Sequence, residues 1–288
     1  MLMEKQFAVI TADIVGSRKG IPGNPDDNSK SLLDRNISIV NERLLELGIR
    51  TITPFHSSRG DEVQCVCGKL GNIPVLTRYL RYYCLPFKLR VGIGLGEIDY
   101  FSLDSLNDME AEVAITSNVS LMQDNKAEAH DKEKINLFDK SRDIPEKHIQ
   151  YNDYNEIRPL LEKNYTKLNS WDMNGNAFYY ARRAIDNLKQ GREHSRTCIH
   201  MKDNNWTIAI QTIFDLMDAI TIEWSESKWK SVQMYDEHGT YEKAARILDL
   251  TKQAVQGNCE RARWTVVKAA ENNLSKIFEL MDMISAKY

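Results

Sequence analysis

The sequence predicts an α+β domain followed by an all-helical one, and three observations support that expectation. Phe7-Ala8-Val9-Ile10-Thr11-Ala12 is apolar or small and β-branched without alternation, the pattern of a strand buried on both faces. The segments after it switch between helical and strand periodicities in the order β-α-β-β-α-β. From Trp206 onward the apolar spacing is helical, and capping residues and glycines cut it into separate helices.

The first strand ends on Asp13, where irregular backbone begins and a ligand can approach; the same aspartate could cap a helix or start a turn. Gly16 permits a turn there. Residues 19–28, rich in glycine and proline, form a loop. A helix is predicted over 30–48, with Leu33, Ile37, Val40, Leu44 and Leu47 at helical spacing and Gly48 as its stop. Two short strands, 51–57 and 62–67, make a hairpin whose turn contains Gly60 and Asp61. A second helix covers 73–84, and Phe87 to Ile98 is a long apolar strand. That order is the split arrangement of ferredoxin-like folds, with the helices on one face of the sheet.

Gly92, Gly94 and Gly96 alternate with apolar residues and share one face, which allows close approach by a packed helix or a ligand. They are not a dinucleotide-binding fingerprint, because no helix opens after them. Residues 101–170 are polar and acidic and read as an insertion, with short helical signals at about 109–129 and 155–168. A strand over Thr197–Lys202 completes the sheet, and a helix runs from Trp206 to Trp224. The α+β domain is thus expected to span residues 1–202 and the helical domain residues 203–288.

In a strand–helix–hairpin unit, Asp13 and Asp61 fall at the same end of one sheet. Two carboxylates meeting there repel unless a cation or proton intervenes, and hard oxygen ligands suit Mg or Mn. Ala12-Asp13-Ile14-Val15-Gly16-Ser17 resembles the first metal-binding motif of class III nucleotidyl cyclases. Arg59-Gly60-Asp61-Glu62 is similar to their second aspartate motif and to the signature of GGDEF diguanylate cyclases, and residues 89–97 resemble the strand that follows. The chain as a whole resembles the SatD family, which joins such a cyclase-like domain to a helix-turn-helix; the likeness covers roughly residues 5–100 and 172–270.

The resemblance implies a metal ion at Asp13, Ile14 and Asp61, and a nucleotide at Gly16, Ser17, Arg18, Arg59, Glu62 and Arg183. Gly175-Asn-Ala-Phe178-Tyr179-Tyr-Ala-Arg182-Arg183 is similar to the cyclase helix whose Asn and Arg meet ribose and triphosphate. Arg183 falls on the arginine position, but Tyr179 replaces the asparagine. Ser58 and Arg59 stand where many cyclases carry a base-reading lysine and a small residue. The metal pair matches and the substrate-reading positions do not, which implies binding without turnover, or a different substrate.

In the carboxy-terminal part, Ser225 opens a capping pattern, and His238-Gly239 stops that helix. A helix from Thr240 and another from Thr251, with Ala245, Leu250 and Val255 at their corner, match the packing of a helix-turn-helix over 240–268. Thr251, Lys252, Gln253 and Gln256 carry groups that read base edges, and Arg261 and Arg263 carry groups that meet phosphates. The last helix, about 262–285, shows an apolar stripe (Val266, Val267, Ala270, Leu274, Ile277, Leu280, Met281, Ile284) of the kind found in a core or a dimer seam.

Composition narrows the class. The 288 residues are 42% hydrophobic and 27% charged, with net charge −3; residues 101–170 carry 14 acidic and 9 basic side chains, a balance of −5, which leaves +2 for the remainder. Neither a membrane-spanning run nor a secretion signal is present, and the five cysteines have no metal or redox spacing, so a cytoplasmic location is expected. Three functions compete. One is a homodimeric DNA-binding regulator with a nucleotide- or metal-sensing domain, one an active Mg- or Mn-dependent nucleotidyl cyclase or nucleotidyltransferase, and one a non-catalytic interaction protein.

Overall fold

A computed structural model describes residues 6–16, 28–57, 61–99, 168–191 and 195–286. Its elements are β1 (Phe7–Ile14), α1 (Asn28–Glu46), β2 (Thr53–Ser57), β3 (Val63–Cys67), α2 (Ile73–Tyr83), β4 (Leu89–Gly96), α3 (Asn176–Lys189), β5 (Thr197–His200), α4 (Asn204–Thr221), α5 (Glu226–His238), α6 (Tyr241–Leu248), α7 (Lys252–Arg261) and α8 (Trp264–Ala286). The helical signals expected at 109–129 and 155–168 lie outside the described residues, apart from Leu168.

One five-stranded sheet has the order β2-β3-β1-β4-β5. Neighbours are antiparallel except β4 and β5, which run parallel. The central strand β1 is buried on both sides, as its unbroken apolar run requires. Ala8, Ile10 and Ala12 face one layer, with Leu33, Ile37, Val40 and Leu44 of α1 and Leu76 and Leu80 of α2. Phe7 and Val9 face the other, with Ala177 and Ala181 of α3. The expectation of helices on one face therefore holds for α1 and α2, while α3 covers the opposite face.

The glycines of β4 explain how α3 comes so close. A methyl group on Gly92 would lie 2.7 Å from the Ala181 carbonyl oxygen, and one on Gly94 would strike the Ala177 carbonyl. The helix answers with small residues, Ala177, Ala181 and Ala184, all fully buried. Of the two readings left open for this glycine face, a packed helix is the one observed.

On the edge strand β2 the register shifts between Thr53 and His56, beside Pro54, which has no N–H to offer the ladder. Asn41 of α1 both donates to and accepts from the Phe55 main chain at 2.9 Å, satisfying an edge peptide from the side.

Helices α5, α6 and α7 pack around Val232, Ala244, Ala245, Val255, Cys259 and Ala262, joined by Trp224, Trp264 and Val267. Ser225, Thr240 and Thr251 each accept a bond from a main-chain N–H of the helix they open. Leu250 does not close the α6–α7 corner with its side chain as expected; it is 44% exposed. Its N–H instead reaches back to the Ala245 carbonyl at 3.0 Å, after Asp249 turns left-handed at φ 53°.

Residues on both sides of position 202 share one core. Ile210 and Phe214 of α4, and Leu274, Phe278 and Met281 of α8, belong to the same apolar cluster as the sheet. The stripe expected on the last helix is split: Val267, Leu274 and Met281 are buried, whereas Val266, Leu280 and Ile284 are exposed. No helix among the described residues is long and apolar enough to cross a membrane.

Candidate functional site

The site forms where β1, β3 and β4 meet beneath the carboxyl end of α3. Ala12 pairs with Val63 and Asp13 with Arg90, so Asp13, Asp61, Glu62 and Arg90 gather at one end of the sheet. Asp13 takes this place because β1 runs through the core and ends there; the residue remains only 4% exposed. Gly16, exposed and at φ 78°, then turns the chain in a conformation that side chains resist.

Asp13 is compensated by protein cations. Lys189 Nζ lies 3.1 Å from its Oδ2, and Arg90 Nη1 lies 3.7 Å from its Oδ1. Burial pushes the Asp13 carboxyl above its ordinary value, Lys189 and Arg90 pull it down, and the charge of Asp61 pushes it up again. Lys189 also reaches Glu62 at 3.3 Å, and Arg182 grips both Glu62 oxygens at 2.7 and 3.1 Å. Burial opposes the charge on Lys189, yet its contacts with Asp13 and Glu62 prevail and hold the ammonium above its usual range.

Arg90, Arg182 and Lys189 were not singled out from the sequence. Arg182 and Lys189 are two turns apart on one flank of α3, so their i, i+7 spacing was the available signal. Arg90 could be read as a lone charge in an apolar strand. Arg183, the residue indicated by the resemblance, is exposed on a different flank. Asn187, four residues on, contacts His200 of β5 at 2.7 Å, away from Glu62. Tyr179 is 64% exposed and ten residues from Lys189, about 15 Å along the helix axis. Ile14 is half-buried against the core and pairs with Leu89. Ser17, Arg18 and Arg59 lie outside the described residues.

The described side chains do not by themselves make a cage for the Mg or Mn that the resemblance implies. Asp13 Oδ1 is buried without a hydrogen-bond donor, as a cation would require. Its Oδ2, however, already faces an ammonium, and Glu62 is held by Lys189 and Arg182. Among the described residues no three His, Cys, Asp or Glu side chains are arranged so that they could hold a metal ion. An added dication would be repelled by Lys189 and Arg90, whereas an anion would find Lys189 and Arg182 half-exposed at the rim.

The second set of candidates lies on α7. Thr251, Lys252 and Gln253 are exposed at its first turn, Gln256 is half-buried, and Arg261 and Arg263 are exposed at its end. Lys252 pairs with Glu242 of α6, Gln256 donates to Glu260 at 2.8 Å, and Arg261 donates to Asn258 at 2.7 Å. Arg263 sits between α7 and α8 at φ 52°. No protein-family model, curated protein or solved structure matches the chain.

Proposed function

We propose that the chain is a SatD-like cytoplasmic regulator, in which a cyclase-related α+β domain of ferredoxin-like strand order is joined to a helix-turn-helix that binds DNA. The observation that carries this reading is the presentation of α7. It buries Val255 and Cys259 against α5 and α6 and leaves Thr251, Lys252 and Gln253 exposed. A helix held this way can enter a major groove by its first turn, with Lys252 and Gln253 at base edges and Gln256 one turn behind. Arg261 and Arg263 then serve the phosphates. The ion pair of Lys252 with Glu242 is on the surface, so exchanging it for DNA costs little. One such module offers few contacts, and a homodimer on two half-sites is the expected binding form.

The strand order β2-β3-β1-β4 and the carboxylates at one sheet end support the cyclase-related half of the reading. The Lys189–Arg182 rim supports a ligand of nucleotide type, held through its phosphates and not turned over. Tyr179 and the ammonium already on Asp13 argue against turnover, which needs ribose, base and phosphate positioned together.

Fluorescence anisotropy against genomic fragments at low salt tests the DNA reading. Gln253→Ala should relax specificity at one base pair at a cost of about 1–3 kcal/mol. Arg263→Gln should weaken all sequences alike and lower the salt slope by about one unit. If no fragment binds better than random DNA, the module serves protein contacts instead. For the other domain, incubation with each nucleoside triphosphate and Mn²⁺ should yield no cyclic product by mass spectrometry. Product formation that disappears in Asp13→Ala would make the protein an enzyme.

A further inference from the structure

A separate cleft of about 200 Å³ lies where the end of α2, the start of β4 and the segment before β5 meet the α4–α5 junction. One wall is aromatic. Phe87 and Trp224 are buried there, and Trp224 packs edge-on against Trp229 at 4.5 Å between centroids. The other wall is cationic, with Arg81, Lys88 and Arg196. The anions nearby are already engaged. Glu226 at the rim is 2.6 Å from Lys230, and Asp218 behind the wall binds Arg81 and the main-chain N–H groups of Arg196 and Thr197. Among the described residues neither Lys88 nor Arg196 forms an ion pair.

Two further features bear on what the cleft could hold. Burial pushes the Arg196 guanidinium below its ordinary value; the neighbouring Arg90 and Arg81 add to that effect, and Asp218 opposes it. Trp224 is only 7% exposed, and its indole Nε1 is buried with no acceptor. A buried donor without a partner is uncommon in native structures and calls for an explanation.

We propose that this cleft binds a small planar anion, its carboxylate or phosphate held by Arg196 and Lys88 and its flat apolar body lying against Trp224 and Trp229. A guanidinium fork matches either anion with two parallel bonds, and the aromatic wall favours a ring over an aliphatic chain. The sheet side supplies Arg196 and α5 supplies Trp229, so an occupant touches both the α+β layer and the three-helix unit that carries α7. Occupancy of the cleft does not depend on the function proposed above.

The test uses the full chain and the probe 2-naphthoate, with neutral 2-naphthamide as its isostere, by calorimetric titration and tryptophan fluorescence. The acid should bind at least about tenfold more tightly than the amide and alter the tryptophan emission, because an ionic hydrogen bond is worth about that factor or more. Lys88→Gln, a change at an exposed side chain, and Arg196→Gln should each reduce that preference, while Lys276→Gln, on the surface of α8, should leave it intact. Absence of naphthoate binding, equal affinity for acid and amide, or binding undiminished in Lys88→Gln overturns the proposal. DNA binding by a protein that fails this test would leave the regulatory reading standing and remove the site alone.

Discussion

Asp13 is a carboxylate held at 4% exposure, and such a group is stable in the interior only while its counter-charges stay in place. Lys189 is the nearer counter-charge and also bridges to Glu62, so its removal strands two acids. Lys189→Met should cost about 1–2 kcal/mol at pH 7 in urea unfolding, less than a fully buried pair because the ammonium is 38% exposed. Adding Asp13→Asn to that variant should restore much of the loss. An unchanged midpoint in Lys189→Met would show that Arg90 alone suffices. Asp13 and Asp61 were legible in the sequence because each marks the edge of an apolar strand. Their cations were not, because α3 reaches them from far along the chain and only its crossing of the sheet decides which residues face Glu62. A single step along a helix turns a side chain by about 100°, and that step separates Arg182, which grips Glu62, from Arg183, which faces elsewhere.

The pairing of α3 with β4 shows how an element can be legible while its purpose is not. Alternating glycines announced a close approach, but a helix and a ligand both need a face without Cβ atoms. The alanine spacing of residues 177, 181 and 184 is the complementary half of the signal, and it becomes decisive only once the two segments are known to touch. Gly94→Ala would drive a methyl group into the Ala177 carbonyl, a backbone atom that cannot swing aside. We expect a loss of about 3 kcal/mol, the upper end of the overpacking range, or failure to fold. Thermal unfolding by circular dichroism within a degree or two of the parent would contradict the packing described. The α6–α7 corner teaches a related lesson. Sequence spacing identified two helices and a tight turn, but not that the Leu250 main chain, and not its side chain, closes it. The left-handed Asp249 that makes this possible is a non-glycine exception, which residue type alone does not announce.

At the scale of the whole molecule, the sequence suggested a division near residue 202, whereas α4 and α8 bury their apolar residues in the sheet's own core. Far-UV circular dichroism and tryptophan fluorescence should therefore report one coincident unfolding transition, and two separated midpoints would contradict the shared core. A buried polar network reinforces that union. Arg78 of α2 binds Glu271 of α8 and lies 3.2 Å from Asp236 of α5, which Lys268 approaches at 3.0 Å, so three elements meet at one guanidinium. Burial is the chief reason the Glu271 carboxyl is pushed up to about 7; Arg78 and Lys268 oppose it, and Asp236 adds to it. Because this acid holds its proton more tightly folded than unfolded, its contribution to stability is complete below its ordinary value of 4.5 and is lost as pH rises through 7. Across that window stability should fall by about 1 kcal/mol per pH unit from this group, and Asp13, also raised, acts in the same direction. Glu271→Gln keeps the shape and one hydrogen-bonding oxygen but cannot titrate, so its stability should change less steeply between pH 5 and about 7. Urea midpoints of the two proteins at several pH values measure the difference, and parallel curves would mean that Glu271 is ionised throughout and that Arg78 holds it as a permanent salt bridge.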